Sequence, residues 1–192
     1  MSIDAFLVST AVIFLAELGD KSQLMALAFA TRYRALPVLI GITLATLLVH
    51  AGSVVLGATA ASALPTDLIS IVAGLAFFAF AAWTLRGDAL DASDEARARQ
   101  AAGSVILAVG VAFFLAELGD KIMLATVTLA AREDAVGTWL GSTAGMVAAD
   151  ALAIATGKLL GTRLPERVIR YGAAASFVVF GALLVLEGMG LI

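Results

Sequence analysis

Apolar residues run along this chain in long blocks separated by short polar breaks. Six blocks reach the roughly 20 residues that a bilayer-spanning helix needs. They are Ile3–Thr31, Leu36–Leu64, Leu68–Leu85, Ala102–Ala131, Val136–Leu160 and Val168–Leu191. The block LISIVAGLAFFAFAAWTL, Leu68–Leu85, holds no charge at all. One connection differs from the rest: RGDALDASDEARARQ, Arg86–Gln100, is polar, mixed in charge and poor in large apolar residues. Such a stretch reads as a flexible linker. The other connections are short, as helix hairpins require. The pattern predicts an all-α integral membrane protein with six transmembrane helices.

The blocks repeat. FLAELGDK occurs at Phe14–Lys21 and again, letter for letter, at Phe114–Lys121. The same offset relates Leu24 to Leu124, Arg32 to Arg132, Gly41 to Gly141, Gly57 to Gly157, and Leu64–Pro65 to Leu164–Pro165. The expected units are therefore residues 1–86 and 102–192, three helices each, joined by a polar cytoplasmic linker at 87–101. With an odd number of spans, the second unit enters the membrane from the opposite side. That is an inverted-topology repeat, a plan by which secondary transporters place a site at the midplane between two halves.

Composition agrees with a membrane chain. Of 192 residues, 61% are hydrophobic and 14% charged, against about half and a quarter in soluble domains. Mean hydropathy is +1.03. A net charge of −3, so diluted, gives no footing for nucleic-acid binding. Cysteine is absent, which excludes disulfides, thiolate metal sites and iron–sulfur clusters. The N-terminal MSIDAFLVST lacks the basic region of a signal peptide, so the first helix is expected to persist in the mature protein. Arg32, Arg34, Arg86, Arg97, Arg99, Lys158, Arg163, Arg167 and Arg170 fall in loops on one side and Arg132 on the other. The positive-inside rule then puts both termini on the non-cytoplasmic side, most simply of a bacterial inner membrane.

The repeated motif carries the candidate chemistry. On a continuous helix Glu17 lies about 20 Å from Asp4 and about 22 Å from Arg32, near the bilayer centre. An ionised group there costs at least roughly 2.5–3.5 kcal/mol. Glu17 and Asp20 are three residues apart and share a helix face, as do Glu117 and Asp120. Inverted symmetry would bring the four carboxylates together. Carboxylate oxygens are hard ligands suited to Mg²⁺, Ca²⁺ and Mn²⁺. Four acids against Lys21 and Lys121 leave a charge of −2, which one divalent cation or two protons would neutralise. The lysines are either counter-charges for the acids or residues that snorkel. Gly19 and Gly119 permit close helix approach or a local break. Ser22 and Gln23 add neutral donors and acceptors after the first motif, where the second has Ile122 and Met123.

Two further polar residues, His50 and Asp150, sit centrally in helices 2 and 5 at the same offset. They are candidates for a proton path or a His–Asp pair beside the ion site, or for polar groups satisfied by a neighbouring helix. Thr43, Thr46, Ser142 and Thr143 read as helix-packing hydroxyls before path-lining ones.

ELGDKS at Glu17–Ser22 and ELGDK at Glu117–Lys121 resemble the E-x-G-D-[KR]-[ST] signature of small divalent cation/proton exchangers. That family includes Golgi manganese/calcium transporters, chloroplast members and bacterial manganese exporters. LAARED, Leu129–Asp134, is also similar to the stretch following the second motif in some members. The resemblance implies that Glu17, Asp20, Glu117 and Asp120 bind the cation and that Mn²⁺ or Ca²⁺ moves against protons. It implies no cofactor; the partners are the transported cation and the lipid bilayer, and a homo-oligomer is compatible with it. Ile122 departs from the family pattern, where Thr or Ser is usual, and Met123 departs where Gln often follows. Rival readings are an exporter of a small organic solute such as an amino acid and a non-transporting membrane assembly protein. A metalloprotease would need a second His, and the aspartyl intramembrane type would need Gly at Glu17 or Glu117.

Overall fold

The structure is a computed structural model that describes residues 1–86, 104–160 and 166–191, without the side chains of 158–160 and 166–170. The linker expected at 87–101 lies outside the described residues. Eight helices follow one another among them: α1 (Ile3–Glu17), α2 (Lys21–Arg32), α3 (Ala35–Ala63), α4 (Thr66–Arg86), α5 (Val105–Glu117), α6 (Lys121–Ala130), α7 (Ala135–Leu160) and α8 (Glu166–Gly188).

The apolar blocks thus become helices, and of the two readings open at Gly19 and Gly119 the structure takes the local break. The first and fourth blocks are not continuous: each is two short helices that meet at the repeated motif. Both interruptions have one cause. Gly19 and Gly119 each take φ 78°, a left-handed conformation, while Leu18, Asp20, Leu118 and Asp120 are extended. A side chain disfavours that φ by about 1–2 kcal/mol, so glycine is the residue that permits the turn. Of the whole helices, α3, α4, Ala135–Gly157 of α7 and Tyr171–Gly188 of α8 are long and apolar enough to cross a membrane.

The packing repeats when the two halves are exchanged. Helix α1 lies along α7, and its counterpart α5 lies along α3; α2 touches α7 as α6 touches α3; α4 pairs with α8, and α3 crosses α7. Equivalent glycines make equivalent close approaches. A Cβ on Gly41 would stand 2.7 Å from the Ile106 carbonyl oxygen, and one on Gly141 would press on that of Phe6. Only glycine lets the backbones come so near.

The α4–α8 pair is cemented by aromatic rings. Phe77 meets Phe177 at 5.6 Å and Phe80 at 5.8 Å between ring centroids. The distribution of polarity is that of a protein whose solvent is lipid. Leu7, Leu48, Val55, Leu107 and Val179 are exposed, while Glu17, Asp20, His50, Glu117, Lys121 and Asp150 are buried. Helices satisfy their own backbone groups in hydrocarbon, and charges there face the bundle interior.

Candidate cation site

The site forms where the two helix breaks face each other. Asp20 and Asp120 stand at the N-cap positions of α2 and α6, where an aspartate usually accepts hydrogen bonds from the first turn. Neither makes that bond. Each instead reaches the lysine of the opposite motif: Lys121 Nζ donates to Asp20 Oδ1 at 2.7 Å, and Lys21 Nζ lies 3.2 Å from Asp120 Oδ1. The lysines are therefore counter-charges, each supplied by the other half. The pairs differ in exposure. The Lys121 side chain is 2% exposed, whereas Lys21 is 22% exposed.

The glutamates are held differently. Ser22 Oγ donates to Glu17 Oε1. Glu17 Oε2 and both Glu117 oxygens are buried with no hydrogen-bond partner among the described residues. The asymmetry follows from sequence: Ile122 stands where Ser22 would, and a hydrocarbon has nothing to donate. Gln23 and Met123 differ in a similar way. Gln23 accepts from the Gly19 amide at 2.9 Å through Oε1 and donates through Nε2 to the Ala149 carbonyl at 3.1 Å. Met123 Sδ accepts from the Gly119 amide at 3.2 Å but has no donor to offer α3.

All four motif acids share one buried region. Glu17 lies within Coulombic range of Asp20, Glu117 and Asp150, and Glu117 within range of Asp120, Asp20, Asp150 and Lys21. Yet no three of His, Asp and Glu among the described residues stand close enough to enclose a metal ion. The centre is a cluster of like charges braced by two crossed ion pairs rather than a closed coordination shell.

His50 and Asp150 are fully buried on α3 and α7. They form neither a His–Asp pair nor a hydrogen bond to a neighbouring helix: neither imidazole nitrogen and neither Asp150 oxygen has a hydrogen-bond partner among the described residues. Of the hydroxyls, Thr43 bonds to the Leu39 carbonyl, and Ser142 and Thr143 bond to the Trp139 carbonyl, as packing residues do. One contact escaped sequence reasoning. Thr46 Oγ1 donates to Met146 Sδ at 3.3 Å, joining α3 to α7 one helical turn before His50 and Asp150. Its signal was present, since 46 and 146 share the repeat offset.

Buried acids and lysines meeting at two helix breaks inside an apolar bundle mark an ion-handling integral membrane protein. Comparison with known sequences narrows this. The profile of the divalent cation/proton antiporter GDT1 family matches residues 5–92 and 105–191, and the chain belongs to that family. It is 36% identical over 182 residues to a Vibrio cholerae protein named "Putative manganese exporter", covering 93% of this chain and 88% of that one. It is 34% identical over 209 residues to the chloroplast protein PAM71 of Arabidopsis thaliana, covering 92% of this chain and 55% of the plant protein. GDT1-like protein 5 of the same plant is 27% identical over 215 residues, covering 93% and 94%. No solved structure matches the chain at a significant level.

Proposed function

We propose that the protein exports a divalent cation, Mn²⁺ first and Ca²⁺ second, in exchange for protons. The crossed pairs Lys21–Asp120 and Lys121–Asp20 carry this reading. They join two identical motifs into one buried centre, where Glu17 Oε2 and both Glu117 oxygens have no hydrogen-bond partner among the described residues. Oxygen donors of this kind suit a hard cation, and the name of the Vibrio cholerae relative adds manganese. Glu17, Asp20, Glu117 and Asp120 would alternate between metal and protons, with Lys21 and Lys121 holding the aspartates ionised while no metal is bound. His50 and Asp150 lie where a proton path would run.

The architecture fits six spans in two inverted halves, spans one and four each being a broken helix. Broken helices at mid-membrane are the usual device for exposing helix ends to an ion in such carriers. The two halves would rock about the centre, with the linker and the basic loops on the cytoplasmic side and both termini opposite. The membrane would be a bacterial inner membrane, as the Vibrio cholerae relative suggests.

The test is uptake into proteoliposomes loaded with a divalent-sensitive dye under an imposed pH gradient. Mn²⁺ uptake should exceed Ca²⁺ and Mg²⁺ uptake and should vanish in Glu17→Gln and Glu117→Gln. Uptake that persists in both variants would make the glutamates structural and sink the reading.

A further inference from the structure

We propose that Asp150, outside the repeated motif, is a ligand of the transported cation and that Gln23 positions it. This rests on the cation-transport reading above and adds a fifth carboxylate to the site.

The first observation is what Asp150 lacks. It is fully buried at the middle of α7, and neither carboxylate oxygen has a hydrogen-bond partner among the described residues. A carboxylate retained for structure is held by donors, because leaving one buried and unpaired is among the costliest arrangements in a protein. Asp150 also sits within Coulombic range of Asp20, Glu17 and Glu117, all acids. The two lysines of the centre are engaged with Asp20 and Asp120. Among the described residues, neither oxygen of Glu117 or Asp150 has a hydrogen-bond donor and Glu17 has only that of Ser22, and a shared cation is the partner that would satisfy them together.

The second observation is how Asp150 is placed. Gln23 spans from the Gly19 amide, in the first helix break, to the Ala149 carbonyl, the residue before Asp150. It fixes this turn of α7 against the first motif. The other half has no such bridge. Met123 cannot donate, and the carbonyl equivalent to that of Ala149, on Val49, accepts from Ser53 within its own helix at 2.9 Å. The residue there is His50, a neutral or cationic group in place of an acid. The shell is therefore lopsided: carboxylates of both motifs plus one from α7, with none from α3. Side-chain rotation must draw the three acids inward, since no three acids enclose a point without the ion.

The test is binding by the full chain in detergent, read by the electron paramagnetic resonance of free against bound Mn²⁺. Asp150→Asn should weaken Mn²⁺ binding at least tenfold. The chain has no cysteine, so Asp150→Cys supplies a single thiolate, a soft ligand. That variant should bind Cd²⁺ with a sulfur-to-cadmium charge-transfer absorption, and adding Gln23→Met should diminish the band. A purely structural aspartate would produce no such band. Should Asp150→Asn bind Mn²⁺ within twofold of wild type while Glu17→Gln does not, Asp150 is no ligand and the cation site stands without it. A folded Asp150→Cys protein with no cadmium band overturns the proposal equally. If the wild-type chain binds neither Mn²⁺ nor Ca²⁺, the transport reading falls first and this one with it.

Discussion

The crossed ion pairs make a prediction that separates this geometry from a simpler one. Within each motif the Asp and Lys are adjacent in sequence, and a local pair would be Asp20 with Lys21. The structure pairs Asp20 with Lys121 instead, both nearly inaccessible. Removing one partner of a buried pair leaves an uncompensated charge and typically costs about 3–5 kcal/mol, whereas removing both is often close to neutral. Asp20→Asn and Lys121→Met should each destabilise by about that amount, and the double variant should recover most of the loss. For a chain of this length each kcal/mol moves the melting midpoint by roughly 2–4 °C, so the singles should fall by roughly 6–20 °C. The assay is thermal unfolding in detergent, without divalent cations, for wild type, both singles and the double. Asp20→Asn combined with Lys21→Met is the control and should show no recovery. The Lys21–Asp120 pair, longer and partly exposed, should couple by only about 1 kcal/mol. Recovery in the same-motif double, and none in the cross-motif one, would refute the crossed arrangement.

Other expectations follow from individual contacts. A Cβ on Gly119 would meet nothing within 4 Å, so Gly119→Ala should cost only the left-handed strain, about 1–2 kcal/mol, and Gly119→Asn less; equal stability of Ala and Gly in chemical unfolding would contradict the break. A Cβ on Gly141 would press on the Phe6 carbonyl while one on Gly172 meets open space, so Gly141→Ala should lose about 1–3 kcal/mol in the same measurement and Gly172→Ala should not. Ser22→Ala takes the donor from Glu17 Oε1 and should cost about 1–3 kcal/mol at a pH where Glu17 is ionised. Asp134 is held below the usual carboxylate range by the amides of Gly137 and Ser2. Its contribution is complete above the unfolded value of about 3.9 and is lost as pH falls through the lower folded value; the protection of the Ser2 and Gly137 amides against hydrogen exchange, taken relative to the unstructured rate at each pH, should stay constant from pH 7 to 5 and fall only in stronger acid.

Much of this arrangement is legible in the order of residues along the chain. The offset that carries FLAELGDK also carries Gly41 to Gly141 and His50 to Asp150, and all of these prove to be buried or at close approaches. What hydropathy hides is the break. Phe14–Lys21 is apolar enough to belong to one long helix, and only the backbone angle of Gly19 shows that the helix stops at Glu17. Pairing is hidden for a related reason. Composition counts two lysines against four motif acids but cannot say that each lysine serves the opposite half, because that depends on how the two breaks face. The offset likewise suggests a bond between His50 and Asp150, yet equivalent positions need not touch. They lie on equivalent helices, each packed against the broken helix of the opposite half. Gln23 is legible only as a polar residue after the motif. Its reach to Ala149 is a tertiary contact that no local pattern encodes.

The deciding measurement is whether a cation gradient alone can move protons. Proteoliposomes holding a pH-sensitive dye, equal in pH on both sides, would be given Mn²⁺ outside. If the buried acids exchange metal for protons, Mn²⁺ entry should drive protons out and alkalinise the lumen, and Glu17→Gln should abolish the signal. Mn²⁺ entry with no change in luminal pH, or a signal undiminished in Glu17→Gln, would contradict proton-coupled transport through this centre.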